Sequence, residues 1–400
     1  MNSKSKDKKL SPLIRIELIL VALGIIFIGS NLRAPITSVG PVINEITASI
    51  GISKVTAGMI TTLPLLTFAL LSGFTPKISK YLGMELSLFF SLLVLMLGLF
   101  IRSFGNISTL FIGAGLVGCA ITIGNVLLPA YIKNKFPRHA GLMTGIYSVS
   151  MNLTAALAAG FSIQLGKITG FGWRGSIGIW IILAFISLLV WLPQVKKNER
   201  KKEKRLQTQS AQPLWKSKLA WAVALFMGLQ SFIFYCIAAW LPAILKDWGI
   251  QPEDSGWILS YIQLAMLPIT FVAPIIAGRM KNQLLLVCIT CILMLLGISG
   301  IVFGKTEWIV YSAILIGIAG GLAFSLAMMF FVLRTGNPSQ AAELSGMSQS
   351  IGYLLAASGP PLFGAIYDYS HNWTISLCLL ILATFSLLIA GLVAGRNKQV

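Results

Sequence analysis

Arg33 is a charge inside an apolar segment. It belongs to the run Asn31-Leu32-Arg33-Ala34-Pro35-Ile36-Thr37-Ser38-Val39-Gly40-Pro41, within a stretch that stays largely apolar from Ile14 to Ile50. Counted along a helix, Arg33 lies about 27 Å from Arg15 and about 18 Å from Glu45. A side chain cannot easily snorkel that far. Burying a cation at this depth costs about 2.5–3.5 kcal/mol on insertion scales and marks a candidate functional site. The guanidinium is a rigid fork of donors, suited to an anionic or electron-rich group held through two bonds at once. The blander role is a tie between helices, made through backbone carbonyls. None of the 12 Asp and Glu residues falls at the depth of Arg33. No intramembrane salt bridge is expected, a cationic substrate is disfavoured, and no proton carrier stands out. Glu45, near the outer end of the segment, is the nearest candidate for one.

Other polar residues occupy apolar runs. The candidate substrate-binding set is Arg33, Asn31, Thr37, Asn125, Gln230, Tyr235, Gln263, Gln349 and Tyr353. Ser38, Tyr147, Asn152, Ser231 and Trp240 lie in the same stretches. An amide here either lines a cavity or bonds between helices, at about 0.6 kcal/mol a bond. Tyrosine also serves as an interfacial anchor. An enzyme is poorly supported. His139 and His371 fall in loops on opposite sides, there is no Gly-rich phosphate loop, and a Ser or Thr nucleophile would lack a base. Cys288-x-x-Cys291 has metal-like spacing but no second pair and no nearby His. It reads as packing, and neither metal nor cofactor is expected.

Composition sets the class. The chain of 400 residues is 56% hydrophobic and 11% charged, with mean hydropathy +0.83. A soluble domain is about 25% charged, so this is an all-α polytopic membrane protein. Apolar runs of spanning length fall near 15–48, 53–75, 84–103, 107–132, 139–165, 173–195, 217–245, 254–278, 283–303, 307–333, 341–367 and 373–395, which makes twelve. The net charge of +19 is distributed by side. Of 31 Lys and Arg, 24 fall in the termini and alternate loops, 6 on the other side, and Arg33 is alone in the membrane. That bias predicts both termini in the cytoplasm. It makes the lipid bilayer, not a nucleic acid, the partner of the basic surface. The first apolar run is too long for the core of a cleaved signal peptide and reads as a retained helix.

Residues 196–216 are polar and charged and cannot support a core. They read as a cytoplasmic linker between a six-helix bundle over 1–195 and a second over 217–400. Three landmarks repeat at one offset: Pro41 and Pro242, Pro137 and Pro338, and Thr144-Gly145 and Ser345-Gly346. A repeat of parallel halves predicts a substrate site at the midplane between them and alternating access by rocking. Gly113, Gly115, Gly118 and Gly124 in helix four, with Gly317, Gly320 and Gly321 in helix ten, are assigned to close packing and rocking.

The helix-one run from Asn31 to Pro41 resembles the signature of the cyanate porter family of the major facilitator superfamily. Similar segments are Gly124-Asn125-Val126-Leu127-Leu128-Pro129, Gly172-Trp173-Arg174, Gln230-Ser231, Phe234-Tyr235, Trp240-Leu241-Pro242, and Ser345 through Tyr353. The resemblance spans nearly the whole chain. It implies the twelve-helix superfamily fold, a cavity lined by helices one, four, seven and ten, and a bacterial cell membrane. It implies a small-molecule cargo such as cyanate or a nitroimidazole, and leaves open the direction and a coupling proton or counter-ion. A monomer suffices for the architecture. The superfamily's loop after helix two carries an Asp four residues after a Gly; here Gly73 is followed by Lys77 and then Lys80. A latch built on that Asp is therefore not expected. The leading expectation is transport of a small anion or small polar electron-rich molecule. The alternatives are an exporter of toxic neutral or weakly acidic compounds and a membrane sensor without turnover.

Overall fold

The computed structural model describes residues 12–52, 54–103, 106–196, 214–250 and 252–400. Most of the expected linker, 197–213, lies outside the described residues. Among the described residues there is no strand. Backbone groups in lipid must be satisfied within their own segment, and helices do this. Helix one is Pro12–Asn31, continued after a break by Ala34–Thr37 and Ile43–Ile50. Helix two is Lys54–Leu71, followed by the short Thr75–Leu82. Helices three to five are Met84–Arg102, Ile107–Lys135 and Ala140–Thr169, and helix six is Trp173–Gly178 with Trp180–Val195. Helices seven and eight are Lys218–Asp247 and Pro252–Arg279, and eleven and twelve are Pro338–Ser370 and Trp373–Ala394.

Helical hydrogen bonding runs on from Leu284 to Leu333, yet these residues form two spans, Leu284–Gly304 and Thr306–Leu333. A straight helix would hold positions 297 and 316 about 28 Å apart. Instead a Cβ on Gly297 would lie 2.7 Å from Cγ1 of Ile316, so the chain folds back on itself. These spans are helices nine and ten. Ten of the described helices are long and apolar enough to cross a membrane. Helices two and eleven complete the twelve. They contain Pro64 and Pro360-Pro361 respectively and pack against each other.

The expected break in helix one is present and begins at Leu32–Arg33, ahead of both prolines. Arg33 has φ −127° and ψ −35°, outside the helical region, and a 3₁₀ turn at Gly40–Val42 follows. The break leaves carbonyls without their usual donors, and one of them has a dedicated partner. Arg102, buried at the end of helix three, donates from Nη1 to Pro35 O at 2.7 Å and from Nη2 to Ile177 O at 3.0 Å. The sequence places Arg102 among the outer-side charges; the structure turns it inward as a clamp on the broken segment.

Glycines sort by what they touch. An added Cβ would strike Arg102 N from Gly113 at 2.6 Å, Thr67 Oγ1 from Gly118 at 2.1 Å, Leu32 Cδ2 from Gly124 at 2.5 Å and Ile262 O from Gly317 at 2.4 Å. These contacts lie within helices one to six or within seven to twelve. They serve packing. Glycines at the junction of the two groups are different ones. A Cβ on Gly145 would meet Phe271 O at 2.6 Å, and one on Gly346 would meet Ser72 O at 2.5 Å. These are the two repeat-related glycines, and each lets a helix of one half reach the backbone of the other.

That junction forms a seam on the face where helix one begins and helix twelve ends. Lys133 Nζ, from helix four, donates to Val332 O and Thr335 O at the end of helix ten. Gln349 Nε2 donates to Asn125 O at 3.0 Å, Ser350 Oγ donates to Ala69 O, and Lys80 pairs with Glu343. These four hydrogen bonds and one ion pair join helices one to six to helices seven to twelve. The bundle is closed on the basic face.

Candidate functional site

Arg33 sits where the helix-one break meets helices five, seven, ten and eleven. Its Nη1 donates to Asn152 Oδ1 at 2.9 Å, and its guanidinium lies 5.3 Å from the centroid of the Phe324 ring. Asn152 is neutral, and a cation over an aromatic face is stabilised without being neutralised. Among the described residues no carboxylate pairs with Arg33; the ion pairs are Lys80–Glu343 and Lys135–Glu85, both at the basic face. Asn152 Nδ2 is shielded from solvent and has no partner. The site therefore presents a guanidinium and an amide donor with no anion to receive them.

Arg33, Gln230, Tyr235 and Tyr353 line one cavity, together with Ser231, Phe234, Met266, Gly320 and Phe324. Its free space is ≈ 20 Å³, room for about one water. Four of the sequence-derived candidates thus converge. Gln263 lies apart, lining a neighbouring cavity that it shares with Gln230. Asn31 is buried against helix six, donating to Ser187 Oγ at 2.7 Å and Phe27 O at 2.9 Å. Thr37 Oγ1 donates to Arg33 O at 3.2 Å and Ala155 O at 3.1 Å, which ties the broken segment to helix five. Asn125 accepts from Tyr147 Oη at 3.5 Å, and its backbone oxygen accepts from Gln349. Gln349 is held in the seam below the cavity. Glu45 is exposed.

Helix ten contributes what the sequence did not mark. Phe324 is an aromatic residue in an apolar run, and nothing in its spacing distinguishes it from core. The sequence groups Gly320 with packing glycines, but a Cβ there meets nothing within 4 Å. It opens onto the cavity instead. Asn152 carried a signal, a polar residue at depth, though only the fold shows that it reaches Arg33.

Residues 19–360 match the sequence profile of the Major Facilitator Superfamily. The chain belongs to that superfamily. It is 45% identical over 379 residues to the uncharacterized transporter YycB of Bacillus subtilis (strain 168), covering 94% of each chain. It is 36% identical over 384 residues to the 2-nitroimidazole transporter of Escherichia coli (strain K12), covering 96% of this chain and 97% of that one. It is 25% identical over 369 residues to the cyanate transport protein CynX of the same organism, covering 92% and 95%. The fold is similar to that of the proton:xylose symporter XylE, with TM-score 0.77 at 12% identity over 96% of this chain and 98% of that chain. The cyanate porter resemblance and the twelve-helix fold both stand. This superfamily member is a multi-pass membrane transporter of a small molecule, not an enzyme.

Proposed function

We propose that the protein moves a small anion or small polar electron-rich molecule, such as cyanate or a nitro-heterocycle, across the cytoplasmic membrane by alternating access. The observation that carries this reading is Arg33: a cation within the Glu17–Val42 span, beside a cavity, whose partners are a neutral amide and an aromatic ring. Arg33 supplies the charge and Asn152 a second donor, while Gln230, Tyr235 and Tyr353 orient the ligand. Relatives named for 2-nitroimidazole and for cyanate support this substrate range. Asn31, Thr37, Asn125 and Gln349 act beside the site, fixing helix one and the seam, and Gln263 faces the adjoining cavity.

The bundles 1–195 and 217–400 are the two rocking bodies, joined by 196–216, and both termini are cytoplasmic as the charge bias requires. With that orientation, the seam on the basic face supports a state closed toward the cytoplasm. A monomer carries out the cycle.

The test is flux in proteoliposomes. Cyanate, nitrate and 2-nitroimidazole are offered to wild type, Arg33→Gln and Arg33→Lys. Wild type transports at least one of them, Arg33→Gln loses at least tenfold, and Arg33→Lys retains part by keeping the charge without the fork. Full transport by Arg33→Gln would remove Arg33 from the site. It would favour export of neutral compounds instead.

A further inference from the structure

The Arg33 cavity has an apolar annexe. A second cavity of ≈ 150 Å³ lies within the C-terminal helices, bounded by Ile233, Ile237, Ile262, Met294 and Ile316, with Gln230 and Gln263 as its polar side chains. It shares four wall residues with the Arg33 cavity: Gln230, Phe234, Met266 and Gly320. The two spaces are therefore adjacent, and Gly320 stands between them without a side chain. A Cβ at Gly320 meets nothing within 4 Å, so the glycine is not there for helix packing. An engineered cavity of about 150 Å³ lined by Leu, Ile and Phe stays dry and takes up benzene. This chamber differs in being open, with Ala238 and Gln263 of its wall exposed, but its isoleucine and methionine side chains offer an apolar ring the same kind of contact.

We infer that the preferred ligand is a monoanion carrying a single apolar ring, of the benzoate class. The carboxylate sits on Arg33 and Asn152 and the ring enters the chamber past Gly320. This rests on the anion site proposed above and adds the second subsite. The charge requirement comes from a guanidinium that no carboxylate neutralises. The size requirement comes from the chamber, which a linear triatomic anion leaves empty.

The experiment measures ligand-induced thermal stabilisation of the purified full chain with benzoate, acetate and nitrate. Wild type is set beside Gly320→Val, Ala238→Leu and Arg33→Gln. Ala238 lines the chamber and not the Arg33 cavity. Wild type is expected to bind benzoate at least tenfold more tightly than acetate. Gly320→Val and Ala238→Leu reduce that ratio toward one. Arg33→Gln removes the response to all three anions. Equal affinity for benzoate and acetate in wild type overturns the chamber's role. So does a benzoate advantage that survives both chamber variants. If acetate or nitrate still binds and still depends on Arg33, the anion site itself stands. No response to any anion overturns both readings. Should a chamber variant fail to fold, the wild-type comparison decides alone.

Discussion

Arg33 and Arg102 are two inward-facing arginines with opposite duties. Arg102 spends its donors on Pro35 O and Ile177 O, carbonyls of the protein itself. Arg33 bonds Asn152 and faces a cavity. Their replacements should differ accordingly. Arg102→Met removes the donor to Ile177 O and leaves Pro35 O only the long 3.4 Å bond from Ser38 Oγ, at about 1–3 kcal/mol. It should lower thermal stability with or without ligand, as a melting curve in detergent would read; unchanged stability would mean that the clamp is dispensable. Asn152→Ala should leave the fold intact and weaken ligand binding several-fold, because one donor beside Arg33 is lost. Binding equal to wild type would remove Asn152 from the ligand shell.

Helices two, four, ten and eleven, with the short helix Thr75–Leu82, make the polar contacts of the seam. Lys133 places a cation at the C-terminal end of helix ten, where the helix dipole is negative and carbonyls lack donors. The Lys80–Glu343 pair is partly exposed, with side chains at 41% and 31% accessibility, and pairs of that kind contribute little. Lys133 is thus the stronger fastening. Its bonds to Val332 O and Thr335 O are charge-assisted and worth about 1.5–3 kcal/mol each. Lys133→Met should shift the population toward an opened basic face. The measurement is maleimide labelling of Ser345→Cys, a buried seam position, in a protein without its native cysteines. Labelling should speed up at least tenfold, since 1.4 kcal/mol is a factor of ten and one such bond alone is worth about that. Gly346→Val should act in the same direction, because its Cβ would lie 2.5 Å from Ser72 O in the opposite half. Labelling unchanged in both would show that the seam does not gate access.

On the proposed alternating-access cycle, the whole molecule opens this seam to turn over. Gly73 and Ser350 face each other across it, with an added Cβ at Gly73 4.0 Å from Ser350 Cβ. That separation suits a disulfide, whose Cβ atoms lie about 3.5–4.5 Å apart. In a background without native cysteines, Gly73→Cys with Ser350→Cys should abolish flux when oxidised and restore it on reduction. Flux that continues in the oxidised, cross-linked protein would be incompatible with rocking at this seam.

The class of protein was written in the sequence because lipid leaves few solutions. Apolar runs of about 20 residues must be helices, and basic loops must sort by side. The break in helix one was legible for the same reason, since two prolines flank Thr37-Ser38 and a charge sits beside them. Arg33, Gln230, Tyr235 and Tyr353 could be named because a polar group at depth is costly and stands out. Their convergence on one cavity was not legible, because it depends on which face of each helix turns inward. Phe324, Met266 and Gly320 carried no signal, as apolar and small residues line cavities and fill cores alike. Asn31 and Gln349 were as conspicuous in sequence as Gln230, yet one binds helix six and the other closes the seam. Residue type fixes the cost of burying a group, whereas only tertiary packing decides which partner meets that cost.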